Sequence, residues 1–152
     1  MAPPFVQYNT PSDYKTHYEA HYCQRPITTF DGINVFFGKD KFEHAFYESS
    51  QRNGIKDTFS DERAKRIDWI KATLENPNAV LYQGWDSKSR QYKPDGRVSV
   101  VYGDFVVVIR LSLNTSGVLK GNFVTCYEAD NSIGKIKSSP LWDKVKCLDY
   151  LR

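Results

Sequence analysis

Apolar residues recur along the chain in two rhythms, a helical one in the first half and an alternating one in the second. Ala64, Ile67, Ile70 and Leu74 follow steps of three and four, which puts them on one stripe of a helix facing a core. Ser60 is placed to cap that helix, Asp61 and Glu62 set negative charge against the positive end of its dipole, and Asn76-Pro77-Asn78 ends it. A second helix is predicted over Lys39 to Gln51, where Phe42, Ala45 and Phe46 share a face ahead of Asn53-Gly54, and a third over residues 13 to 23, capped by Ser12 or Asp13 and ended by Pro26. From Ala79 onward β-branched and aromatic residues take over. They predict strands over Ala79 to Trp85, Val98 to Tyr102, Phe105 to Leu113 and Asn122 to Glu128, with an earlier one over Ile33 to Phe37. Lys93-Pro94-Asp95-Gly96 and Gly103-Asp104 carry turn chemistry, and Pro140 is placed to open a short helix reaching Leu148. The expected fold is therefore α+β: N-terminal helices packed on one face of an antiparallel β-sheet meander, then a short C-terminal helix. Residues 1 to 26 are expected to form an arm with a short helix, and residues 27 to 152 a single α+β domain.

Composition narrows the setting without choosing the chemistry. The 152 residues suit one domain with its own core. Cys23, Cys126 and Cys147 are odd in number and lack C-x-x-C spacing, which argues against a disulfide framework or a four-cysteine zinc site. The chain has no apolar run long enough to cross a membrane, and its first residues lack the basic and apolar regions of a signal peptide, so a cytoplasmic setting is expected. A net charge of +3 is too mild to mark a nucleic-acid binder by itself. Lys135, Lys137, Lys144 and Lys146 against Asp143 alone do make a basic stretch, which suits phosphates or simply a solvated surface.

Candidate chemistry gathers at a few positions. His44 sits within Phe42-Glu43-His44-Ala45-Phe46 and is the side-chain type best suited to exchange protons near neutral pH; it also reads as an ordinary surface histidine. Arg63, in the first turn of its helix, is set against the dipole, a placement explained by a bound phosphate or by pairing with a neighbouring acid. In Phe123-Val124-Thr125-Cys126-Tyr127, strict alternation would put Phe123, Thr125 and Tyr127 on one face and Val124 and Cys126 on the other. Thr125 and Tyr127 then project side by side, as a site or as a plain surface pair. His17 and His21 share a helical face near Cys23, but Glu19 stands one position late for the zinc-protease pattern, and Gly134-Lys135 lacks the other residues of a phosphate loop.

Taken in order, the helix with His44, Phe59-Ser60-Asp61-Glu62-Arg63-Ala64 opening the next helix, the meander ending in Phe123-Val124-Thr125-Cys126-Tyr127, and the Lys-rich Ile133-Gly134-Lys135-Ile136-Lys137 resemble the barnase–EndoU–colicin–RelE superfamily of small nucleases, in its phage- and toxin-associated branch. The similarity spans residues 33 to 142 and departs from the EndoU pattern of two histidines and a lysine. It implies a metal-independent ribonuclease without cofactor, in which His44 is general acid or base, Arg63 a phosphate clamp, and Thr125 and Tyr127 orient the phosphate or help move a proton. Arg97, Arg110, Lys135 and Lys137 would be further basic contacts. Of Arg97 and Arg110, only one is expected to face the site if both lie in regular adjacent strands. The implied partners are RNA, tRNA among the candidates, and a cognate inhibitor or immunity protein. The alternative is a non-catalytic RNA- or protein-binding module on the same fold.

Overall fold

The computed structural model describes residues 2 to 51 and 53 to 152. The chain opens with α1 (Pro11–His21), β1 (Ile27–Thr28), β2 (Asn34–Phe36) and α2 (Lys41–Phe46). A small ribbon of β3 (Tyr47–Glu48) and β4 (Thr58–Phe59) precedes α3 (Asp61–Ala64) and α4 (Ile67–Glu75). Next come β5 (Val80–Gln83), the short hairpin β6 (Trp85–Asp86) and β7 (Gln91–Tyr92), and the long strands β8 (Gly96–Tyr102), β9 (Phe105–Leu113) and β10 (Leu119–Glu128). The helices α5 (Ile133–Lys137) and α6 (Lys144–Leu151) follow.

The architecture is α+β. The main sheet runs β1-β2-β10-β9-β8-β5, and β5, β8, β9 and β10 form the antiparallel meander that the alternating pattern predicts. The β8–β9 turn is Gly103-Asp104, with φ +60° at Gly103, a left-handed conformation that favours glycine at the first position of a tight hairpin. The sheet is mixed rather than purely antiparallel, because β2 joins β10 in parallel.

One sheet face is sealed by helices. Tyr14, Tyr18 and Tyr22, with Phe42, Phe46, Ile67, Ile70 and Leu74, pack on Val98, Val100, Phe105, Val107, Ile109, Phe123 and Cys126. Two of the buried phenols are satisfied by carbonyls: Tyr18 donates to Gly38 O at 2.7 Å and Tyr22 to Ile67 O at 2.6 Å. The helices are not confined to that face, since α5 lays Ile133 and Ile136 against Val101, Val106 and Tyr127 on the other.

The first 26 residues dock on the domain: the α1 tyrosines enter the core, and the segment before them docks through Trp69 Nε1–H to Pro3 O (2.8 Å) and Val6 N–H to Lys65 O (2.8 Å). Several expectations need correction. The cap of α1 is Thr10, whose hydroxyl accepts from Asp13 N–H, with Pro11 inside the first turn. The helix expected to reach Gln51 ends at Phe46, where Tyr47 turns extended to pair with Phe59. The helix expected to run unbroken from Ser60 divides at Lys65-Arg66, where Val6 takes the Lys65 carbonyl and Arg66 adopts φ −97°, ψ 18°. Pro140 opens no helix. Residues 140 to 142 bind the edge of β5 (Gln83 N–H to Pro140 O, 2.8 Å; Trp142 N–H to Leu81 O, 2.9 Å), and Asp143 caps α6. Among the described residues no helix is long and apolar enough to cross a membrane.

Candidate functional site

The sheet face opposite the main core is polar over its middle, and the hairpin register sets which residues meet there. Because Tyr102 pairs with Phe105, Arg97 lies directly opposite Arg110 and Ser99 opposite Val108. Arg97 and Arg110 therefore share a face, contrary to the expectation that only one could reach the site. Parity along each strand does not decide this; the turn does. Continuing onto β10, Asn122 stands opposite Arg110, Thr125 opposite Val108 and Tyr127 opposite Val106. An irregularity between Phe123 and Thr125 inserts one residue into β10, so Phe123 and Cys126 enter the main core while Thr125 and Tyr127 take the polar face. The strict alternation that grouped Phe123 with Thr125 is thus corrected by a bulge.

Beside β10 stand α2 and α3, which bring His44 and Arg63. Phe42, Ala45 and Phe46 anchor α2 in the core, and that anchoring leaves His44 exposed. Partial burial, followed by the positive charges of Lys56, Lys41, Arg97 and Arg63, holds the His44 pKa below the ordinary histidine value. Arg97 on β8 and Arg63 on α3 thus both lie within electrostatic reach of this imidazole. Arg63 braces α3 against α2: Nη1–H donates to Ala45 O at 3.4 Å and Nε lies 3.4 Å from the Glu48 carboxylate. The acid partner that the sequence reading offered for Arg63 is therefore present. Its cation also acts on Tyr127, whose phenol pKa burial nevertheless raises, and on Cys126, which its fully enclosed position pushes up to about 12. These directions favour the neutral imidazole and the protonated phenol, beside the guanidiniums of Arg63 and Arg97.

On its far side the polar face opens into a cleft of about 420 Å³, lined by Arg97 and Arg110, by Lys88 and Lys93, and by Trp85 of the β6–β7 hairpin. Lys135 and Lys137 are exposed on α5, which packs on the same sheet face.

The other two histidines are elsewhere. His17 is held between the Tyr8 hydroxyl (2.9 Å at Nδ1) and Asp68 (2.8 Å at Nε2), and its ring centroid lies 4.4 Å from that of His21. Among the described residues no group of three or more His, Cys, Asp or Glu is placed to hold a metal ion. Sequence reasoning passed over Lys41, Lys56, Ser99, Asn122 and Trp85. For Ser99 the hairpin turn alone was a sufficient signal; Asn122 needed the pairing of β9 with β10, and Lys56 and Trp85 lie in segments whose position depends on distant packing. Set beside known proteins, the chain matches no protein-family model, no curated protein and no solved structure.

Proposed function

We propose that the chain is a metal-independent endoribonuclease that cleaves RNA through the substrate's own 2′-hydroxyl. One observation carries the reading: the exposed His44 lies close enough to Arg63 and Arg97 for their charges to lower its pKa, and its helix packs against β10, the strand that presents Thr125 and Tyr127. In this reading His44 takes the 2′-hydroxyl proton as the O2′ attacks the adjacent phosphorus. The P–O5′ bond breaks, and the leaving oxygen takes a proton from Tyr127, whose raised pKa keeps it a donor; solvent exchange then returns a proton from His44 to the phenolate. Arg63 offsets the charge that builds on the phosphoryl oxygens, Thr125 orients them, and Arg97, Arg110, Lys135 and Lys137 add further basic contacts to the substrate. The product ends are a 2′,3′-cyclic phosphate and a 5′-hydroxyl. Since the nucleophile belongs to the substrate, the protein needs no activated Ser or Cys.

The test is incubation of the full chain with tRNA and with labelled single-stranded RNA in EDTA. Cleavage leaving cyclic phosphate ends is expected; intact RNA under all conditions sinks the proposal. A second reading, a binding module on the same fold that recognises RNA or a protein partner, is favoured by the engagement of Arg63 with Glu48 and Ala45, which makes this guanidinium a structural brace. Salt-dependent RNA binding without product after prolonged incubation selects that alternative.

A further inference from the structure

The cleft beyond Arg97 has features that proton transfer at His44 does not use. Like charges directly opposite in a β-ladder repel, yet Arg97 and Arg110 face each other, and no carboxylate among the described residues pairs with either. The acids that line the cleft are otherwise placed: Asp86 pairs with Lys93 at 3.5 Å, and Asp95 keeps its Oδ1 buried. Across the cleft stands Trp85, 56% exposed although it is a tryptophan, with Tyr92 in T-shaped contact at 5.2 Å. Its position relative to the arginines is fixed through the backbone. Gly84 N–H donates to Arg97 O at 2.9 Å, and a Cβ at Gly84 would lie only 2.5 Å from that oxygen, so the close approach requires glycine. Two unpaired guanidiniums and an exposed indole, lining one polar cleft and tied together through the Gly84–Arg97 backbone hydrogen bond, match a phosphate and an adjacent nucleobase.

We infer that this cleft binds single-stranded RNA flanking the scissile phosphate, with a backbone phosphate on Arg97 and Arg110 and an unpaired base on Trp85. The inference rests on the ribonuclease reading of the His44 site and extends it to the substrate class. Single-stranded rather than duplex RNA is implied because the indole can stack only on a base free of its own helix.

The test uses the wild-type chain and a fluorescent ten-nucleotide 2′-O-methyl RNA, which lacks the nucleophile and cannot be cut, free or annealed to its complement. Fluorescence anisotropy is expected to show the single strand binding at least about tenfold more tightly than the duplex. Trp85→Ala should weaken single-strand binding by about 5- to 150-fold, the worth of one stacked base, and Trp85→Phe should recover most of it. Arg110→Gln should weaken it too and flatten the dependence of log affinity on log salt by about one phosphate contact. Unchanged binding in Trp85→Ala and Arg110→Gln overturns the inference, as does equal binding of the duplex or equally effective competition by polyglutamate, which would mark an acidic protein surface as the occupant. The two readings fail separately. Absence of RNA cleavage with Trp85-dependent binding intact removes the nuclease and leaves the cleft, whereas intact cleavage with variants that bind normally removes only the cleft.

Discussion

On one face of the sheet, Val98, Val107, Ile109 and Phe123 close against aromatic residues from α1 and α2, and Phe123 stacks on Phe37 with centroids 4.8 Å apart. On the other face the same three strands present Arg97, Ser99, Arg110, Asn122 and Thr125. The first face follows the rules of stability: apolar side chains leave water, and the buried phenols of Tyr14, Tyr18 and Tyr22 find carbonyls. The second breaks one, setting two guanidiniums opposite each other. Core and polar positions are thus interleaved at single-residue spacing, and the facing arginines mark a place where an anionic ligand would relieve repulsion.

The contrast is broken most directly at His44. His44→Ala is expected to lower RNA cleavage by about 10²–10⁴-fold, the usual worth of one positioned proton-transfer group, and to change unfolding free energy by less than about 0.5 kcal/mol because the side chain is exposed. Gel-based cleavage rates and denaturant melts check the two halves. A variant that lost stability and activity together would make His44 part of the scaffold. The apolar face should behave in the opposite way. Phe123→Ala removes a fully buried ring and should destabilise the domain by about 3–5 kcal/mol, with cleavage at low temperature reduced only as far as the folded fraction falls.

Much of this two-faced sheet is legible from residues alone. The β8 and β9 runs are β-branched, Gly103-Asp104 joins them, and counting back from that turn brings Arg97 opposite Arg110. The reading of those arginines as mutually exclusive went astray because it compared strands without using the turn that registers them. Other features have no local signal. The bulge between Phe123 and Thr125 contains neither glycine nor proline, and it is visible only against the partner strand. The break at Lys65-Arg66 is hidden by an uninterrupted apolar stripe, since its partners, Val6 and Glu128, lie far away in sequence. α1 was in part legible: Tyr14, Tyr18 and Tyr22 recur every four residues, but tyrosine serves surfaces as readily as cores. For the candidate site, residue types and order pointed to His44, Arg63, Thr125 and Tyr127, whereas their relative placement depends on how α2 and α3 meet β10, a matter of long-range packing.

The arginine pair offers a finer separation of the faces. If Arg97 and Arg110 repel without a ligand, Arg110→Ala should stabilise the free protein by about 0.2–1 kcal/mol while weakening its hold on RNA. Urea melts at low salt should show the gain, and high salt should reduce it because both side chains are exposed. A loss of stability would mean that the arginine side chain contributes packing that outweighs the repulsion, and the polar face would then be less costly than its charges suggest.

The smallest expected effect tests the role of His44 most specifically. Lys56 heads the charges that lower its pKa, and Lys56 is exposed, so Lys56→Gln should leave the fold intact. Removing a cation relieves repulsion on the protonated imidazole, so the histidine pKa must rise toward its ordinary value of about 6.5. If the imidazole acts as the base, kcat/KM falls as it becomes protonated, and the acid limb of the pH profile in the wild type should lie below about 6.5. In Lys56→Gln that limb should move upward by a few tenths of a pH unit at low ionic strength, and by less in high salt, where the lysine is already screened. Lys146→Gln, which removes a charge on α6, serves as the control and should leave the limb in place. A downward shift, or the same shift in both variants, would assign the acid limb to a different group and remove His44 from proton transfer.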